Sequence, residues 1–348
     1  MERGHQVTVY CRQSYYEDQP GEYLGMRLVY LPNLRNKSLD TMSHTFLSAW
    51  HSLLGGFDVY AVFNAANSLF VLPLRMMGKK IVLNPDGLEW KRTKWGYGGR
   101  TFYRISEKAA ALVANRLVSD SQGIQEHYRR VHHVDSAQIA YGAYVQNTPP
   151  GTALRDMGLE KDGYFLQITR FEPENHPLLT IRAFKRLETD KKLVLVGGNP
   201  YTTEYVKRIE SEAGDRVLLP GFIYDKQRLD QLWCNCYAYV HGNAVGGTNP
   251  ALLQAMACGN FVIAFDNVFN RDVLADSGVY FLNEEKLLVK QMQWALDNAH
   301  DLASYRNRAQ QRIREQYSWD HIADEYERVF LDVYQGNHPW HFSWQALL

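Results

Sequence analysis

The chain has 348 residues, 45% of them hydrophobic, which suggests about two domains, each able to build its own core. Its 38 basic and 38 acidic residues cancel to a formal net charge of zero, which argues against nucleic acid as the main partner. Four cysteines, Cys11, Cys234, Cys236 and Cys258, show no zinc-ligand spacing and read as small core residues of a reducing compartment. No signal peptide and no membrane-spanning apolar run is visible, so the expected location is the cytoplasm, with room for peripheral contact at the inner face of a membrane.

In chain order, residues 1–6 read as a helix end and a glycine stop leading into a strand. Apolar runs at 7–11, 27–31, 58–63, 80–83, 116–119 and 138–141 read as strands separated by helical patterns. The polar, proline-rich stretch 146–151 is the best linker candidate. The alternation restarts with strands at 164–169, 192–197, 216–218, 236–240 and 261–265. Strands alternating with helices imply parallel sheets covered on both faces. The expected organisation is therefore two Rossmann-like α/β domains, residues 1–147 and 148–335, with a tail at 336–348. Ligands of such folds sit beyond the carboxyl ends of the strands, in the cleft between the domains.

The most informative stretch is HGNAVGGTNPALLQAMACG at 241–259. Gly246 and Gly247 follow a buried strand and let a ligand approach the backbone. Thr248 or Asn249 can cap the next helix, with Pro250 in its first turn and Gly259 as its stop. A glycine loop before a helix N-terminus offers free N–H groups and a positive dipole end, which suits a diphosphate. The same pattern also fits an ordinary strand–loop–helix of an α/β domain. Arg170, at the end of a predicted strand, can pair with phosphate oxygens or form a surface salt bridge with Glu172 or Glu174. Asp86 and Glu89 follow the strand at 80–83 and so face the same cleft, while Asp86 before Gly87 also fits a residue that merely caps a turn. Phe222 can stack on a ring or belong to the core. Between 90 and 108, six cations (Lys91, Arg92, Lys94, Arg100, Arg104, Lys108) are interleaved with Trp90, Trp95, Tyr97, Phe102 and Tyr103. That mixture suits an anionic membrane surface or a solvated helix with a buried aromatic side. No metal-ligand cluster is visible.

The wording GGTNPALLQAMA resembles the nucleotide-binding loop of the family 4 retaining glycosyltransferases, most closely their bacterial rhamnosyltransferase branch. NPDGLEWKRTKW at 84–95, SDSQGIQEHY at 119–128, IAYGA at 139–143, RFEPENH at 170–176 and LPGFIYD at 219–225 carry the same resemblance in the expected order. The resemblance implies the GT-B architecture and transfer of a hexosyl unit, rhamnosyl by the branch, from a dTDP- or UDP-sugar. The acceptor would be a saccharide or a polyprenyl-diphosphate-linked saccharide of cell-envelope polysaccharide synthesis. It assigns Arg170 to the donor diphosphate and places Asn175 where a lysine is common. It places Gly246 and Gln254 where many members carry two glutamates, and uses the Phe222–Ile223 loop to cover the nucleobase. Asp86 takes a positioning role, and Glu89 and His44 fall on the acceptor side. No cofactor or metal is implied. Family members carry a further strand and glycine loop before the point at which this sequence begins. The resemblance therefore implies weak transfer by residues 1–348 alone, and the alternative is a degenerate, non-catalytic binding subunit.

Overall fold

Runs of Val, Ile, Leu and Phe form the strands, as their branched and aromatic side chains favour. The computed structural model describes residues 3–36, 39–91, 95–199 and 203–338. In the first half, β1 (Thr8–Arg12), β2 (Glu22–Tyr23) and β3 (Met26–Leu31) form a small sheet ordered β1-β3-β2. β4 (Tyr60–Phe63), β5 (Ile81–Asn84), β6 (Arg116–Ser119) and β7 (Ser136–Gln138) form a four-stranded parallel sheet in that order. In the second half, β8 (Tyr164–Arg170), β9 (Lys192–Gly198), β10 (Val217–Gly221), β11 (Ala238–His241), β12 (Phe261–Phe265) and β13 (Gly278–Phe281) form one parallel sheet. Its order is β10-β9-β8-β11-β12-β13, the doubly wound Rossmann order. The strand order reverses between β8 and β11, so a ligand crevice opens beyond Arg170 and His241. The two-domain α/β expectation, with parallel sheets, is met.

Both large sheets are covered on both faces, and alternate residues of one strand serve opposite cores. Leu83 and Leu117 pack with Leu74, Ala110 and Ile124, whereas Val82 and Val118 pack with Ile139, Ile322 and Val333. The last two belong to the helix Trp319–Gln335. Its apolar stripe of Ile322, Tyr326, Val329, Phe330 and Val333 lies on the first sheet, and Asn84 Nδ2 donates to Tyr326 Oη at 3.0 Å. The expected second domain, 148–335, included this helix; in the structure the chain returns to the first domain. It crosses beside the first passage, where Ala143 N–H donates to Tyr317 O at 2.7 Å and Ala143 bridges Ser318. Most of the expected tail lies outside the described residues.

Two short strands, β2 and β13, had no counterpart in the sequence reading, and β7 starts earlier than the expected 138–141. β7 is polar: Ser136 and Ser119 share a hydroxyl–hydroxyl hydrogen bond of 2.7 Å instead of apolar contact. Cys236 and Cys258 are buried, and Cys234 Sγ lies 3.0 Å from Cys258 Sγ.

Candidate active site

A cleft enclosing about 420 Å³ lies at the β8/β11 switch point and is closed from the other side by the first domain. Its second-domain wall is made of Arg170, Asn175, Asn243 and the loop Val245 to Asn249 with the start of the following helix. Its first-domain wall is Asp86, Gly87, Asp120 and Tyr141. The structure therefore brings together Asp86, Arg170, Asn175, Gly246, Gly247, Thr248 and Asn249 from residues scattered over the whole chain.

The loop has the features that an anion cradle requires. Gly246 sits at φ 147°, outside the range most residues tolerate. Asn249, rather than Thr248, caps the helix Pro250–Ala257: its side-chain oxygen accepts from Ala251 N–H at 3.0 Å, and Pro250 fills the first turn. Among the described residues, no backbone carbonyl accepts from the N–H groups of Gly246, Gly247 or Asn249. They remain available at the positive end of the helix. Arg170 is exposed at the end of β8 and forms no ion pair with Glu172 or Glu174 among the described residues. Asn175 is buried, and its Nδ2 donates to Arg170 O at 2.9 Å. Its amide thus shapes the loop that carries the arginine.

Across the cleft, Asp86 lies in a left-handed turn at φ 63°, its N–H held by Asn84 Oδ1 at 2.9 Å and its carboxylate near Asn64 Nδ2 at 3.4 Å. A non-glycine residue in that conformation costs of order 1–3 kcal/mol and is common at functional sites. Gly87 and Gly246 meet there, and a Cβ on Gly87 would lie 3.5 Å from Gly246 Cα.

Asp120 was not singled out from sequence. It follows β6 and is only 2% exposed. Its carboxylate fills the space where a Cβ on Gly247 would be, 2.0 Å from Oδ1. Thr248 hydrogen-bonds it through the backbone, and the Thr248 hydroxyl donates to Asp120 O. Oδ1 itself has no partner. Burial first, and then the Asp86 charge, push the Asp120 carboxyl up to about 7. Tyr141 also lines the cleft, its hydroxyl raised by burial and by the same two acids. Both residues stand in stretches, SDSQGIQEHY and IAYGA, that were noted for their wording but given no chemistry.

The remaining candidates lie outside this lining. Phe222 is 45% exposed, so it is no core residue; its ring approaches Gly198 at the end of β9 and stacks on Tyr224. Ile223 packs against the second-domain core. Gln254 lies a turn into the helix and reaches Cys258 Sγ at 3.5 Å. Glu89 is buried and accepts from Trp95 Nε1 at 3.4 Å. His44 is buried on the helix Asp40–Ser52, where burial lowers its pKa, and its Nε2 has no partner. Of the basic segment, Arg92 and Lys94 lie outside the described residues. Arg100, Arg104 and Lys108 are exposed at four-residue spacing on the helix Tyr97–Val113, and Arg104 stacks over Trp90 at 4.7 Å.

Comparison with known proteins follows the same division. Residues 155–316 match the family model described as glycosyl transferases group 1, and residues 60–144 match a domain of unknown function, DUF1972. A Campylobacter jejuni protein is 26% identical over 272 residues, covering 74% of this chain and 72% of its own length. Its name is N-acetylgalactosamine-N,N'-diacetylbacillosaminyl-diphospho-undecaprenol 4-alpha-N-acetylgalactosaminyltransferase. Among solved structures, sucrose-phosphate synthase from Thermosynechococcus elongatus superposes with a TM-score of 0.80 at 17% identity, over 96% of this chain and 90% of that one. HepE of Anabaena in complex with UDP superposes with a TM-score of 0.75 at 15% identity, over 88% and 87%. Residues 155–316 thus resemble a glycosyl transferases group 1 domain, set in an α/β fold of parallel sheets whose structural neighbours are GT-B glycosyltransferases.

Proposed function

We propose that this protein is a glycosyltransferase that moves a hexosyl unit from a nucleoside diphosphate sugar to a saccharide acceptor, with retention. The observation that carries the reading is the cleft itself. Arg170, which forms no ion pair among the described residues, a glycine loop whose N–H groups meet no backbone carbonyl among them, and a helix N-terminus converge on one side, and two carboxylates face them. In this reading Arg170 and the Gly246–Asn249 loop stabilise the charge that develops on the departing diphosphate, the main catalytic lever for such a transfer. Asp86 positions a sugar or acceptor hydroxyl. Phe222 and Ile223 lie at the end of the neighbouring strands and cover the base. Cation and dipole serve the diphosphate without a metal.

The finer assignments rest on narrower support. The rhamnosyl donor rests on the GGTNP wording, while the Campylobacter jejuni relative is named for N-acetylgalactosaminyl transfer. That relative's name specifies a diphospho-undecaprenol acceptor, which supports a polyprenyl-diphosphate-linked acceptor here. Contact with a membrane fits the first domain. The helices Asp40–Ser52, Ser68–Met76 and Tyr97–Val113 pack side by side; Phe46, Trp50, Met76 and Tyr97 on them, and Leu54 and Met77 just after them, are exposed, as are Arg100, Arg104 and Lys108. No helix among the described residues is long and apolar enough to cross a membrane.

Calorimetry with UDP and dTDP, followed by transfer assays with UDP- and dTDP-sugars on short polyprenyl-diphosphate saccharides, tests the reading. Binding with transfer is expected. Binding without transfer from any donor favours a binding subunit, and no binding at millimolar nucleotide refutes the donor site.

A further inference from the structure

Away from the cleft, the first domain gathers three side chains with metal-binding chemistry. Glu107 stands on the helix Tyr97–Val113, and His127 and His132 stand on the helix Gln122–His132. Glu107 Oε2 lies 3.2 Å from His127 Nε2 and 3.5 Å from His132 Nε2. One donor atom from each residue falls within 4.8 Å of the others. A tetrahedral ion with bonds of about 2.0–2.1 Å holds its ligand atoms about 3.3 Å apart. The two measured edges match that value, and the third lies within 4.8 Å.

The surroundings fit an ion better than a hydrogen-bonded triad alone. The three side chains are 6%, 11% and 4% exposed, in the order Glu107, His127, His132. His132 Nε2 is buried and meets Glu107 Oε2 only at 3.5 Å, the outer edge of hydrogen-bond reach. A buried ring nitrogen held by so long a contact is only weakly satisfied. A metal between them satisfies both. His127 keeps the small exposure that an entering ion and a bound water need.

We propose that Glu107, His127 and His132 bind a divalent transition-metal ion, zinc(II) foremost, with water in the fourth position. Two imidazoles and one carboxylate form a borderline nitrogen–oxygen set that suits zinc and disfavours magnesium or calcium. The site joins two helices that the sequence separates, and the second begins directly after Asp120 and Ser121 at the cleft wall. The ion therefore ties the helix that follows Asp120 to the helix Tyr97–Val113, and its water leaves one coordination position open. This assignment stands apart from the donor site and does not depend on it.

The test uses the full chain, stripped of metal with a chelator and titrated with zinc(II) by calorimetry and with cobalt(II) by visible absorption. Wild type should take up one strong equivalent, cobalt(II) should show the intense bands of a tetrahedral site, and zinc should raise the melting temperature. His127→Gln, at the most exposed of the three positions, and Glu107→Gln should each weaken binding by about tenfold or more. Cys234→Ser should leave it unchanged, which separates this site from the cysteine pair. No uptake by wild type at micromolar free ion overturns the proposal. So does equal affinity in wild type, His127→Gln and Glu107→Gln.

Discussion

Replacing Asp120 by asparagine should change how the protein responds to pH more than any other single substitution in the cleft. The carboxyl is 2% exposed, faces Asp86 and is pushed from its ordinary 3.8 up to about 7. The fold therefore prefers the neutral acid. Between about pH 4 and pH 7 the unfolded chain releases this proton while the folded chain keeps it, so stability falls as pH rises through that window and is level above it. At about 1.4 kcal/mol per pH unit, raising the carboxyl from 3.8 to about 7 corresponds to about 4 kcal/mol at pH 8, as an upper bound. Asparagine has nearly the same shape, keeps an oxygen for the Thr248 N–H and carries no charge. Melting temperatures of wild type and Asp120→Asn measured from pH 4 to pH 8 should coincide within a degree or two at the acid end. They should separate in favour of the variant above neutrality, by several degrees for a domain of this size. Diphosphate affinity should follow the same sign, since an ionised Asp120 beside the Gly247–Thr248 loop repels the ligand. Wild-type affinity for UDP should fall relative to the variant as pH rises through 7. A pH-independent difference in melting temperature would show that Asp120 is ionised in the fold throughout, and would refute the argument.

Other substitutions probe the remaining parts of the cleft and its surroundings. Arg170→Ala should weaken UDP or dTDP binding by roughly 1.5–3 kcal/mol if its charged hydrogen bonds are made; calorimetry showing unchanged affinity would place the guanidinium elsewhere. Gly247→Ala puts a methyl group 2.0 Å from Asp120 Oδ1, so it should destabilise by about 1–3 kcal/mol. Asp120→Ala should rescue it, and failure to do so would mean that the two domains do not meet there in solution. Neutralising Arg100, Arg104 and Lys108 together should lower co-sedimentation with anionic vesicles, at up to about 1 kcal/mol per cation, and the wild-type binding should fall with salt. Equal sedimentation of variant and wild type leaves that helix face merely solvated.

The sequence by itself determined the alternation of strands and helices, because buried parallel strands need continuous apolar runs such as FVIAF at 261–265 and tolerate little else. It also determined the glycine-loop wall of the cleft, because a glycine loop, an asparagine cap and a proline at the first helical turn are local chemistry that needs no partner from elsewhere. What it left open was whatever depends on two distant segments meeting. The helix Trp319–Gln335 carries an apolar stripe that fits either domain, and only packing assigns it to the first sheet. Gly247 reads as loop flexibility until the Asp120 carboxylate is found in the space that a side chain would fill. Asp120 in turn is an ordinary acid in sequence; burial and the charge of Asp86, contributed by a different strand, give it a proton near neutral pH. Glu107, His127 and His132 have no recognisable metal spacing, and become a ligand set only because two helices pack with those faces together. Propensity and capping act over a few residues and are legible in order, whereas cleft electrostatics and ligand clusters arise from contacts between segments that the order of residues does not record.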